Sequence, residues 1–287
     1  MCNYADDTGL HVCDKDLPSL LNSLEHDTSL VIEWFESNYM KLNKDKCHFL
    51  VSGHKFEQLW VNVGGTKIWE SNSETMLGVK IERNLKFDNH VTELCKRAGR
   101  KLSALTRLSK ILPFHRMRIL MKSFFDSQFS YCPLIWMFIS RGTNHKLNRL
   151  HERSLRILYK DDVSTFSELL RKDNSVTIHT HNIQLLAMEM YKVRNNISPN
   201  FICEIFPKHD VAYNMRNTSD FRKPRVNTVF CGAETIRNIG PKIWDLLPLD
   251  IKLAPTLNSF KLKIKQWKPD NCPCRICRPY LPGIGFI

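Results

Sequence analysis

The spacing of apolar residues changes character along this chain, and that change constrains the fold more than any single motif. Up to about residue 87 much of the apolar content falls in short runs bounded by turn residues, the pattern of strands. Beyond it, apolar residues recur every three or four positions, the pattern of helices. Val91, Leu94, Cys95, Ala98, Leu102, Leu105 and Leu108 form one such stripe and predict an amphipathic helix. Pro113 opens a second helical unit with Met117, Ile119, Leu120, Phe124 and Phe125. A further basic helix is predicted over about His145 to Tyr159, with Leu147, Leu150, Leu155 and Leu158 on one side and Arg149, Arg153 and Arg156 among the rest, and another helix over about Ile183 to Val193. The expected fold class is therefore α+β.

The front part mixes the two periods. Leu17, Leu20, Leu21, Leu24, Val31, Trp34 and Phe35 recur at helical spacing behind Asp16 and Pro18, which suit a helix start. Lys46 to Val51 reads as a buried strand. Leu59 to Val63 and Lys67 to Trp69 flank Gly64-Gly65, a strong hairpin signal. Met76 to Ile81 reads as one more strand, in which Gly78 would allow a close backbone approach. Residues 211–227 are polar and basic and read as an exposed loop or arm.

Charge is as uneven as periodicity. Residues 1–90 carry 9 Lys and Arg against 14 Asp and Glu, net −5, whereas residues 91–287 carry 33 against 15, net +18. An acidic head on a strongly basic body points to a polyanion lying along the body. On the predicted helix from Val91, Lys96, Arg97, Arg100, Lys101, Arg107 and Lys110 fill much of the face left by the apolar stripe. No apolar run approaches membrane-spanning length and the N-terminus lacks a basic-then-apolar signal, so we expect an intracellular protein with no membrane partner. Cys2, Cys13, Cys47, Cys95, Cys132, Cys203 and Cys231 stand singly among apolar neighbours and read as reduced core residues. Cys272, Cys274 and Cys277 are clustered, but they are one ligand short of a structural Zn2+ site. The fourth would have to come from elsewhere, for example a histidine, and none lies nearby in sequence, so free thiols are the expectation rather than Zn2+.

The chemistry-bearing stretch is Tyr4-Ala5-Asp6-Asp7-Thr8. Adjacent carboxylates repel, so a chain that keeps two together either gives them a divalent cation or leaves them in solvent. With strand-like flanks, Asp6-Asp7 is expected at the tip of a β-hairpin. This motif resembles the palm of reverse transcriptases, and the segments C-terminal to it are similar, in order, to those of LINE-type (non-LTR) retrotransposons. There is a helix ending in Trp34-Phe35, then Leu42-Asn43 with Lys46, then Leu77-Gly78-Val79 and Leu85-x-Phe87-x-x-His90-Val91. Arg116-x-x-x-Leu120-x-x-Ser123 and Tyr131-Cys132-x-x-x-Trp136 continue it. Finally Gly240-Pro241-x-x-Trp244-Asp245-x-Leu247-Pro248 resembles the C-terminal region of jockey- and CR1-like elements.

That resemblance implies a truncated polymerase palm (hairpin, helix, small antiparallel sheet) over residues 1–87, then a helical thumb over 88–140, a helical connection region over 141–210 and a basic C-terminal region with the cysteine cluster over 211–287. It implies Asp6 and Asp7 as Mg2+ ligands in two-metal nucleotidyl transfer, Lys46 near the incoming triphosphate, and an RNA template with a DNA primer as partners. Lys96, Arg97, Arg100, Lys101 and Arg107 would track the phosphates of the template–primer duplex. In that family a further catalytic aspartate and the fingers precede the hairpin, so the chain is expected to be a polymerase fragment, inactive alone. The alternatives are a non-catalytic nucleic-acid-binding remnant and a pseudogene product. The residues give no basis for an oligomeric state; nucleus or cytoplasm is the expected location.

Overall fold

A computed structural model of the chain describes residues 2–53, 58–209, 219–228 and 232–278. The fold is α+β, with the short antiparallel strand pairs and one long helix N-terminal in sequence and the remaining helices C-terminal to them. The chain divides into two compact units between Leu85 and Lys86.

The first unit begins with strands β1 (Cys2–Tyr4) and β2 (Asp7–Gly9), paired antiparallel with Tyr4 opposite Asp7. The turn residues are therefore Ala5 and Asp6, one position earlier than expected, and Ala5 takes the left-handed conformation (φ 52) that the reversal demands. Helix α1 (Leu17–Ser37) starts as its sequence dictates. The Asp16 carboxylate accepts the amide of Ser19 at 3.1 Å, and Pro18 sits where no intrahelical N–H is needed. Strands β3 (Trp60–Val63) and β4 (Thr66–Trp69) close around Gly64 and Gly65, both at positive φ, as the Gly-Gly pair predicts. Leu17, Leu21, Leu24 and Ile32 of α1 pack on a small core of Phe49, Val51, Val61 and Val63.

Two strand expectations are corrected. Residues 46–51 form no strand among the described residues: Lys44–Lys46 is a single 3-10 turn capped by the Asn43 side chain, and only Phe49 makes a bridge, to Glu70. Phe49 and Val51 are buried as expected, but as anchors of an irregular segment. Residues 76–81 are two strands rather than one: β5 (Ser73–Met76) and β6 (Val79–Glu82) pair through a turn at Leu77-Gly78. Gly78 supplies a positive φ of 78° there, which the reversal needs.

The second unit is helical among its described residues: α2 (Asp88–Leu108), α3 (Phe114–Phe124), α4 (Pro133–Trp136), α5 (Arg141–Tyr159), α6 (Phe166–Asp173), α7 (Ile178–Arg194), α8 (Asn200–Ile205), α9 (Ile236–Asp245), α10 (Leu249–Lys252) and α11 (Leu257–Gln266). Helices α2, α3 and α5 enclose one core around Leu102, Met117, Phe125, Trp136 and Leu147. Helices α7, α9 and α11 enclose another around Leu186, Met190, Ile243, Trp244 and Phe260, each side chain of which contributes about 1.5–3 kcal/mol by leaving water. The starts of α2 and α5 are tied together, since Ser140, the cap of α5, donates both its amide (3.0 Å) and hydroxyl (2.7 Å) to Asp88. Burial resists ionisation of Asp88, but hydrogen bonds from Thr143 and Ser140 outweigh it and hold its pKa below the ordinary value.

The exposed loop expected over 211–227 is corrected at 219–221 alone: residues 211–218 lie outside the described residues, and 222–227 are irregular and mostly exposed as expected. Phe221 is fully buried, Asp220 accepts the Trp244 indole N–H at 2.7 Å, and Lys223 pairs with Asp245 at 2.6 Å, so 219–223 is pinned to α9. Among the described residues no helix is long and apolar enough to cross a membrane.

Candidate nucleic-acid interface and cysteine–histidine cluster

On α2 the core side is Val91, Leu94, Ala98, Leu102 and Leu105, with His90 also buried at its start. Positions 96, 100 and 107 fall on the opposite side at helical spacing, and positions 97 and 101 on one flank. Lys96, Arg97, Arg100 and Arg107 are exposed and Lys101 half-buried. None of the five joins an ion pair or hydrogen bond among the described residues; the Lys101 ammonium lies 5.9 Å from the centre of the Phe124 ring. A cation without a carboxylate partner keeps its full field for an external anion.

The sequence pattern alone did not show that α5 extends this surface. Gly99 of α2 and Leu150 of α5 face one another, an added Cβ standing 3.8 Å from the leucine, which is ordinary packing contact between the two helices. Beside that seam Lys146, Arg149, Leu150 and Arg153 line an open depression of about 270 Å³. These three cations are exposed and are likewise unpaired among the described residues. Burial pushes the nearby Cys95 thiol up to about 11, with the Lys146 charge acting against it. The signal was present in sequence, because 146, 149 and 153 follow helical spacing; only their placement beside α2 required the fold. By contrast Arg156 of α5 is engaged, at 2.6 Å from Glu152.

In the first unit Asp6 and Asp7 are exposed and adjacent on the β1–β2 hairpin, and Lys46 is exposed at the end of its 3-10 turn. No hydrogen bond or ion pair joins the three among the described residues. Nor does a third His, Cys, Asp or Glu gather with the two aspartates there. Two oxygen donors suit Mg2+, but they are part of a ligand set and not a whole one.

The described scattered cysteines are free thiols; Cys47, Cys95 and Cys203 are half-buried and pack against the cores as expected, Cys132 is half-buried, and Cys2 and Cys13 are exposed, which corrects the expectation for those two. Cys231 lies outside the described residues. The clustered trio behaves differently. Cys272 and Cys274 are buried at 5% and 1% exposure, and His179, at the start of α7, is brought to them with Nε2 3.3 Å from the Cys274 Sγ. Hydrogen bonds from Cys272 and Cys277, with His179 beside them, favour a thiolate at Cys274, and the same sharing raises the Cys272 thiol. Burial resists charging of His179, yet its contacts with Cys274 and Cys277 push it up to about 9.

No protein-family model matches the chain, and no solved structure matches it at a significant level. Over 206 residues, 70% of this chain, it is similar at 20% identity to the RNA-directed DNA polymerase from mobile element jockey of Drosophila melanogaster, of whose length it spans about a fifth (22%).

Proposed function

We propose that the chain is part of a reverse transcriptase of the non-LTR retrotransposon type, in which residues 1–87 are palm and residues 88–140 thumb. Its helical unit would hold the template–primer duplex by the phosphate backbone. The observation that carries this reading is the set of unpaired cations on α2 and α5, on a chain whose sequence is similar to a polymerase from a mobile element. Lys96, Arg97, Arg100, Lys101 and Arg107, with Lys146, Arg149 and Arg153, would neutralise phosphates. Such contacts position a duplex without reading its bases.

Within the same reading Asp6 and Asp7 supply part of the Mg2+ ligand set of the intact enzyme, and Lys46 steadies the triphosphate of the incoming nucleotide. When bound, Mg2+ lowers the pKa of the primer 3′-hydroxyl and neutralises developing charge. Two carboxylates on an exposed hairpin bind a reluctantly dehydrating ion weakly, so primer extension from this polypeptide by itself is expected to be absent.

The test is binding of a fluorescent RNA–DNA duplex, followed by anisotropy across a salt series. Affinity should fall linearly on a log–log plot, and neutralising Lys96, Arg97 and Arg100 together should flatten the slope by about 0.9 per lost phosphate contact. No binding at low salt would reject the reading. Because the cations all lie in the helical unit, a second reading is binding without polymerisation. Binding indifferent to Asp6→Ala, with no extension even when fingers and palm segments of a jockey-type polymerase are supplied in trans, would favour it.

A further inference from the structure

We propose that His179, Cys272, Cys274 and Cys277 form a structural Zn2+ site that clamps the segment after α11 onto the start of α7. The inference is independent of the nucleic-acid reading. All four candidate ligand atoms lie within 4.8 Å of one another. A tetrahedral ion with bonds of about 2.0–2.3 Å holds its ligands roughly 3.5–3.8 Å apart, so modest contraction around an ion would complete the geometry. Three thiols and one imidazole are a ligand set that selects Zn2+ over the hard cations, which take oxygen donors. Neither half of the site is local: His179 and Cys274 are 95 residues apart in sequence, and folding alone assembles them.

The mount is rigid on both sides. Thr177 caps α7 two residues before His179, its hydroxyl accepting the Thr180 amide at 3.1 Å. The Cys274 carbonyl accepts the amides of Cys277 at 3.2 Å and Arg278 at 2.9 Å, a turn that gathers the last two thiols. Between them Arg275 donates to the Ile139 carbonyl at 3.1 Å and pairs with Glu234 at 3.3 Å, while its own carbonyl accepts from Arg141 at 2.8 Å. His179 Nδ1 is buried with no hydrogen-bond partner among the described residues, and Nε2 is turned toward the thiols. On binding, Zn2+ takes three thiolates and a neutral imidazole. The thiol protons, and the imidazole proton where one is held, go to solvent, and the loaded site carries one net negative charge beside Arg275 and Arg278.

The experiment uses the full chain, purified without a polyhistidine tag and under reducing conditions. Elemental analysis should find one zinc per chain. Replacing it with Co2+ should give intense visible bands of a tetrahedral site together with near-ultraviolet thiolate charge transfer. His179→Ala and Cys274→Ser should each weaken Co2+ binding by about 100-fold or more, since even partners outside the ligand set cost about 10–100-fold, and Cys132→Ser should leave it unchanged. Cys277→His keeps a ligand and should retain the metal. If the ligand variants fail to fold, wild-type chain decides: the three tail thiols should alkylate at least about tenfold more slowly with Zn2+ present than after chelation, while the rate at Cys132, outside the cluster, should not change. Metal-free protein with no charge transfer, full binding by His179→Ala, or equal alkylation rates with and without Zn2+ would overturn the proposal.

Discussion

Trp244 donates its indole N–H to the Asp220 carboxylate at 2.7 Å, and Asp220 also accepts Arg194 at 3.1 Å. The indole is fully buried, edge-on to Phe221 and stacked near Phe260, so one side chain joins three helices and the 219–223 segment. Trp244→Phe keeps much of the apolar contact but removes the donor. It should lower unfolding free energy by about 2 kcal/mol, the typical worth of a hydrogen bond to a charged group plus some lost packing. Urea unfolding of the full chain checks it, with Trp244→Ala expected to cost about 3–5 kcal/mol.

Gly240 stands where a Cβ would meet Phe206 Cε1 at 2.7 Å and Met190 Sδ at 3.0 Å. Both neighbours are buried and cannot swing into solvent. Gly240→Ala gains about 1 kcal/mol of helix propensity but forces overpacking costing about 1–3 kcal/mol. Net destabilisation is expected, read as a lower thermal midpoint, and Phe206→Leu should relieve part of it.

His151 is buried between Phe125 and Phe166, and burial lowers its pKa to about 4 despite the opposing Asp173 charge. The unfolded chain protonates this imidazole near the ordinary value of about 6.5, so between these pH values the unfolded state binds more protons. The contribution is therefore full above about pH 6.5 and is lost as pH falls toward 4, amounting to about 3 kcal/mol. A series of denaturation midpoints from pH 7 to 4 should fall, and His151→Gln should flatten the dependence.

Neutralising Lys146, Arg149 and Arg153 together should weaken duplex binding at least as much as the α2 triple variant, because these cations line the depression beside the Gly99–Leu150 seam. The salt slope should become shallower by about 0.9 for each residue that touched a phosphate, and circular dichroism should not change, since all three side chains are exposed.

Local signals were legible. The Asp16 cap, the Gly64-Gly65 turn, the α2 stripe and the Pro113 start each rest on neighbours within a few residues, and the structure has them where expected, save that Leu108 at the end of the stripe is exposed. Leu77 hid the β5–β6 turn, because a leucine at positive φ is a turn residue no propensity would choose. Phe221 hid the anchoring of 219–223, being one apolar residue in a polar run whose burial depends on α9. The candidate site divides the same way. The α2 cations could be read from spacing, whereas the α5 cations and His179 join their partners only through helix packing. The hairpin position of Asp6 and Asp7 was legible to within one residue; its surroundings were not, because they involve residues distant in sequence.

The cross-links that hold 267–278, from Gln184 to the Trp267 carbonyl and from Arg141 to that of Arg275, reach back 83 and 134 residues. During synthesis α7 therefore leaves the ribosome long before the segment that covers it. Until residue 278 has emerged, the groove destined for Trp267 and Ile276 stays open to water. A nascent helical unit stalled short of that point would present a sticky apolar face to chaperones, and the last step of its folding is a docking event rather than a collapse.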